Sequence, residues 1–242
     1  VTVGDPAEQL LHDLGITEPN EIDLEVIAYM VGASVRLRSL GRGDARIVGL
    51  GDRAIITIDA DASSVRQRFS VAHELGHWHH HRGQRLICQD ADPTEPAATA
   101  GAEREADRYA ASLLMPRFLV GPMIAGLPMK MALVDEVADR FRVSTIAAIL
   151  RMTDLHTDAF AIVVEEPVGR RWFRRSVGLD QRWFVWTAGP AGARSSEVDP
   201  CRAIHWFRGP DLANRRVSIE TRRSADGQVI RLIHGPIQRV DA

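Results

Sequence analysis

The sequence predicts an α+β fold in which a mixed helix–strand first part is followed by a β-rich tail, and three observations carry that reading. Up to about residue 155, stretches with helical periodicity dominate, broken by short alternating runs between residues 33 and 59. From about residue 157 the chain turns into short runs rich in β-branched and aromatic residues, separated by Gly, Pro and Asp. The length of 242 residues, with 45% hydrophobic and 26% charged residues, is enough for a real core in one large domain or two small ones. The expected domains are therefore 1–155, including a helical segment at about 117–155, and a β-rich region at 157–242, for which sensing or partner binding is the expected role.

The elements follow in chain order. Residues 5–14 and 20–32 read as helices. In the second, Ile22, Leu24, Ile27, Ala28 and Val31 recur at helical spacing, and Gly32 suits the stop. "ASVRLRSL" alternates as a strand does, and "GRGDARIVGLGDRAIITIDA" reads as further strands with glycine turns, "RAIITID" (53–59) most clearly. Residues 61–82 read as one long helix, with Ser64 and Gln67 spaced as a capping box. Residues 84–100 read as a loop. A second helix at 101–115 ends at Pro116, and a helical region continues to about residue 152. Within it "VDEVADRFRVSTIAAILRM" resembles a helix-turn-helix. Val134, Val137, Ala138, Phe141, Val143 and Ile146 form its core stripe, and its turn falls near Arg142, where glycine is usual. In the tail, "FAIVVEE", "RRWFRRSV", "RWFVW", "RVSIETRR" and "QVIRLIH" read as strands.

Charge and cysteine usage narrow the function classes. A net charge of −2 gives no general reason to expect a nucleic-acid partner, although fourteen arginines face ten acidic residues from Asp158 onward. The two cysteines, Cys88 and Cys201, are far apart and form no metal or redox pair, which fits a reducing, cytoplasmic setting. No basic-then-apolar signal opens the chain, and the most apolar stretch, 113–134, holds three prolines, so no membrane partner is expected.

The chemistry concentrates in "VAHELGHWHHHR" (71–82). His73 and His77 stand four residues apart on the predicted helix, which puts two imidazoles on one face within reach of one ion. Glu74 sits beside the first histidine, where it reaches a water on that ion without being a ligand. This is the H-E-x-x-H arrangement of zinc peptidases. Gly76 costs about 1 kcal/mol against alanine inside a helix, which a close backbone or substrate approach would justify. A catalytic zinc needs a third protein ligand, and no later histidine has the spacing, so an acid on the second helix is expected. At about 100° per residue Glu103 shares a face with Ala106, Asp107, Ala110 and Leu114, whereas Glu105 points towards Arg104, Arg108 and Ser112. Glu103 is the preferred ligand and Glu105 the runner-up. Asp107 is placed to hydrogen-bond a ligand histidine. His79, His80 and His81 read as bystanders, with His80 the one on the ligand face. His156 reads as structural, with oxyanion donation as its other option.

With "RQRFSVAHELGHWHHHR", "EREADRYAASLLMP" and "VDEVADRFRVSTIAAILRMTDL" in place, the chain resembles the ImmA/IrrE family of metallo-endopeptidases over about residues 20–155. The resemblance implies a gluzincin-like minimal zinc-peptidase domain of a small sheet and active-site helices, with a helix-turn-helix-like subdomain. It implies His73, His77 and Glu103 as ligands of Zn2+ (Mn2+ possible) and Glu74 as catalytic base. It further implies cleavage of a partner, a transcriptional repressor of the helix-turn-helix class, which derepresses stress-response or mobile-element genes. Tyr109 stands where relatives often carry phenylalanine and is expected in the core. An extended substrate is expected along the strand 53–59. The competing readings are a non-proteolytic metal-binding regulator and a DNA- or nucleic-acid-binding transcription factor. The second draws on the helix-turn-helix-like segment and on the interleaved Arg and Trp of "GRRWFRRSVGLDQRWFVW", whose plainer reading is a strand pair with aromatics inside and arginines outside.

Overall fold

The computed structural model describes residues 4–41, 44–81, 86–89, 99–186, 202–224 and 227–235. The chain divides into two compact units, Val1–Pro122 with Val137–Ala148, and Met123–Glu136 with Ile149–Ala242.

In the first unit α1 (Pro6–Asp13) starts where Asp5 accepts the Ala7 and Glu8 amides and Pro6 supplies a preset first-turn φ. α2 (Leu24–Met30) is capped in the same way by Asp23. Three strands follow, β1 (Ala33–Arg38), β2 (Ala45–Leu50) and β3 (Arg53–Asp59). β2 and β3 form a hairpin through Gly51-Asp52, with Gly51 at φ 63°, the positive value such a tight turn requires. Alternation buries Ala45, Ile47 and Gly49 of β2 and Ala54, Ile56 and Ile58 of β3 on one face. The long helix α3 (Ser64–His81) packs against those two strands and against α4 (Thr99–Leu114).

Two expectations change here. The sheet order is β1-β3-β2-β4, so β3 is a central strand and not an edge. Its parallel pairing to β1 and antiparallel pairing to β2 use both of its backbone edges, which leaves none for a substrate. The segment 84–100 is not all loop: β4 (Leu86–Gln89) pairs with β2, and α4 already begins at Thr99. The rest of that segment, Cys201 and the side chain of His81 lie outside the described residues. The helix cap also moves by one position. Ser63 accepts the Arg66 amide, while the Gln67 side chain donates to the carbonyls of Asp59 and Ala60 and ties α3 to the end of β3.

After α5 (Arg117–Ile124) come α6 (Met131–Phe141) and α7 (Thr145–Leu155). Arg142 takes the left-handed conformation at φ 55°. The Val143 amide reaches the Ala138 carbonyl and the Arg142 amide that of Asp139, a Schellman stop. Ser144 then caps α7 through the Ala147 amide. Five of the six stripe residues are buried, and Ile146 is half-buried.

The second unit holds the antiparallel sheet β6-β5-β10-β9, made of β5 (Phe160–Glu165), β6 (Arg171–Arg175), β9 (Ser218–Arg223) and β10 (Val229–His234), and the pair β7 (Phe184–Val185) with β8 (Phe207–Arg208). Ala161, Val163, Trp183, Val185, Trp206, Phe207 and Ile233 share its core. The expected sorting of aromatics and arginines holds only in part. Phe173 and Phe184 are exposed, whereas the Arg175 guanidinium donates to the Trp183 and Leu179 carbonyls and Arg171 pairs with Glu165. Glu165 also meets the buried Arg231 at 3.1 Å, and although burial pushes its carboxyl up, the two arginines bring it below the ordinary carboxylate range. Both ring nitrogens of His156 are occupied, by the Leu127 carbonyl and the Asp158 amide, which makes it a structural histidine. Among the described residues no helix is long and apolar enough to cross a membrane.

Candidate metal centre

The packing of α3 on α4 creates the centre. A Cβ on Gly76 would stand 2.8 Å from the Ala106 Cα and 3.0 Å from its carbonyl oxygen. Glycine therefore lets the two helix backbones touch, and this close approach accounts for a residue of poor helix propensity in mid-helix. One turn before this contact on each helix, His73 of α3 and Glu103 of α4 come together, and His77 joins them.

His73 Nε2 lies 3.0 Å from His77 Nε2 and 3.1 Å from Glu103 Oε2, and His77 Nε2 lies 3.3 Å from Glu103 Oε1. Their ligand atoms all fall within 4.8 Å of one another, a cluster that can hold a metal ion. A tetrahedral ion with bonds of about 2.0–2.1 Å sets its ligand atoms about 3.3 Å apart, so the donor set fits such an ion with little rearrangement. The donor chemistry of two imidazoles and one carboxylate suits a divalent transition metal.

The surrounding groups orient this set. His73 Nδ1 meets Asp107 Oδ1 at 3.0 Å, which presents Nε2 to the centre. Burial pushes the His73 pKa down, but the hydrogen bond and charge of Asp107, with the charges of Glu74 and Glu103, outweigh it and hold the ring above its ordinary value. His77 is buried, and so is Glu74 at 5% exposure. Phe69, which the sequence did not single out, tilts its ring against His73 at 5.8 Å between centroids. Its signal was there in retrospect, one turn before His73 on the same face.

Glu105 is exposed and lies outside the cluster. His79 and His80 are exposed as well. His79 stacks on Tyr109 at 5.1 Å, and neither joins the metal set. Tyr109 is 5% exposed in the core, where burial and the charge of Asp5 push its hydroxyl up to about 12.

Comparison with known proteins gives three results. The family model Peptidase_M78, described as the IrrE N-terminal-like domain, matches residues 30–153, which is half of the chain and includes α3, α4, α6 and most of α7. A solved structure named "Mycobacterium tuberculosis transcriptional regulator" superimposes with a TM-score of 0.55 over 94% of this chain and 86% of that one, at 13% identity, which establishes a shared fold. No curated protein matches the chain.

Proposed function

From the premise that this chain belongs to the Peptidase_M78 family of IrrE N-terminal-like domains, we propose that it is a zinc-dependent endopeptidase of the cytoplasm whose substrate is a helix-turn-helix transcriptional repressor. The observation that carries the proposal is the convergence of His73, His77 and Glu103 within 4.8 Å, with the buried carboxyl of Glu74 on the residue next to His73.

His73, His77 and Glu103 would hold the ion, with Mn2+ as the other candidate. A divalent ion there supplies Lewis acidity, which acidifies water and polarises a peptide carbonyl. Glu74 accepts the proton of the attacking water as general base and then delivers it to the leaving amine. Its burial holds the carboxyl beside His73, away from bulk water. Asp107 keeps the His73 ring turned so that Nε2 faces inward. An extended substrate adds to an edge of the first sheet, and among the described strands the edges are β1 and β4.

The repressor is inferred from the family resemblance, as is derepression of stress-response or mobile-element genes as the outcome. The DNA-binding alternative is disfavoured by α7, whose single basic residue is the half-buried Arg151. A groove-reading helix needs several cations for the phosphates. The deciding experiment incubates the protein with a helix-turn-helix repressor encoded beside it, with and without a chelator. Fragments that appear only with metal support the peptidase. A stable complex without fragments supports a binding regulator instead.

A further inference from the structure

The outer face of the first sheet breaks a pattern that its inner face obeys. A sheet covered by helices on one side alternates apolar-in and polar-out. α3 packs on the side of Ile47, Ile56 and Ile58, so Val48, Leu50 and Ile55 point the other way, where polar residues are expected. The strand register sets Val48 beside Ile55 and Leu50 beside Arg53. The next row along the same face is conventional, with Arg36 of β1 and Arg46 of β2 on either side of Thr57. The apolar side chains therefore gather in one half of the face, and arginines border them.

The apolar half is also concave. Tyr29 and Met30 at the end of α2, Val48 and Leu50 of β2, and Arg53 and Ile55 of β3 line a groove of about 920 Å3. All five apolar side chains are exposed, Tyr29 at 77% and Leu50 at 76%. A contiguous apolar patch rimmed by polar residues marks a site of association. Charge selects what it associates with. Arg36, Arg46 and Arg53 are exposed, and none of them pairs with a carboxylate among the described residues. Asp52 is the one acidic residue that lines the groove, so the groove and its border carry a net positive charge. A second copy docked about a twofold axis would set these arginines against themselves. A bilayer calls for apolar side chains that protrude, not for a groove. Single-stranded nucleic acid calls for several aromatic platforms, and Tyr29 is the one aromatic among the lining residues.

We propose that this half of the outer face seats an amphipathic helix of a partner protein, with an apolar stripe that fills the groove and an acidic flank that meets Arg36, Arg46 and Arg53. The docked helix forms a second helical layer opposite α3, the arrangement that covers a sheet apolar on both faces. α3 carries His73 and His77 on the other side of the sheet, so the docked helix leaves the metal centre open. The proposal does not rest on that centre being a peptidase.

The test uses the full-length protein and a fluorescein-labelled helical peptide of about eighteen residues, with leucines at i, i+3, i+4 and i+7 and glutamates beside that stripe. Anisotropy is expected to rise to saturation with a Kd below about 100 µM at low salt. The same peptide with lysines in place of the glutamates is expected to bind at least about tenfold more weakly. Leu50→Asp is expected to weaken binding of the acidic peptide at least about tenfold, and so is Arg36→Glu combined with Arg46→Glu. Both variants change exposed side chains, and thermal melts that match the parent verify their folding. Absence of saturable binding, equal binding of the lysine peptide, or unchanged affinity in either variant would each overturn the proposal. A dimer in sedimentation that Leu50→Asp dissolves would overturn it in favour of a second copy. Binding to anionic vesicles without binding of the peptide would overturn it in favour of a lipid surface.

Discussion

Replacing Gly76 with alanine tests the geometry on which the centre depends. On an exposed helix the change would stabilise by about 1 kcal/mol. Here the added Cβ meets the Ala106 Cα at 2.8 Å, the Ala106 oxygen at 3.0 Å and the Tyr109 Cβ at 3.1 Å. Carbon atoms rest at about 3.5–4.0 Å, so α3 and α4 must part by roughly 0.7 Å. Overpacking of this kind costs about 1–3 kcal/mol, which cancels the propensity gain and leaves a net loss of up to about 2 kcal/mol. The effect on metal is larger, because two ligands ride on α3 and the third on α4. Ligand distances tolerate only about 0.2 Å, and a displacement several times that should lower zinc affinity about tenfold or more. The assay is a competition titration against a chromophoric chelator, paired with thermal unfolding of the metal-free protein to isolate the packing cost. A variant that unfolds at higher temperature than the parent and binds zinc equally well would refute the close-approach argument.

Other perturbations separate the remaining roles. Glu103→Gln is expected to strip the metal while Glu105→Gln retains it, as read by metal content after gel filtration; equal loss in both would remove Glu103 from the ligand set. Asp107→Asn is expected to weaken metal binding about tenfold, the low end for an orienting partner, because Asp107 is partly solvated. Tyr109 ionises at about 12 when folded and near 10 when unfolded, so its contribution is intact below pH 10 and is lost as pH rises from 10 to about 12. That loss is about 3 kcal/mol, and denaturant melts of Tyr109→Phe should lack it; parallel pH profiles would contradict the assignment. Arg142→Gly is expected to stabilise by about 0.5–1 kcal/mol in urea, since glycine accepts φ 55° without strain and the change also removes a cation that helps press Arg68 down to about 10. A lower urea midpoint would show that Arg142 makes a contact outweighing its strain.

Local patterning made much of this fold readable, and long-range pairing hid the rest. The run 53–59 coincides with β3, and the five β-rich runs of the tail each hold a strand, because alternation and β-branched residues act within a few neighbours. Glu103 could be told from Glu105 because one helical turn of Ala106, Ala110 and Leu114 marks the face of α4 that packs inward. That β3 is central depends on β1 pairing parallel to it although β2 lies between them in the chain, which no local pattern encodes. β4 is only four residues long in a polar stretch, and its identity comes from its partner β2. Of the arginines of the tail that turn from solvent, Arg171 and Arg231 pair with Glu165, and Arg175 is held by the Trp183 and Leu179 carbonyls, all partners distant in the local pattern. The contact between Gly76 and Ala106 was legible only as an unexplained glycine.

The most direct measurement of the central claim compares the parent protein with Glu74→Gln, both loaded with zinc, against the same repressor, with metal content and fragment masses followed together. The account predicts one zinc per chain in both, fragments from the parent, and cleavage slowed at least about a hundredfold in the variant, as expected for loss of a general base. A zinc-loaded Glu74→Gln protein that cleaves at the parent rate would contradict it.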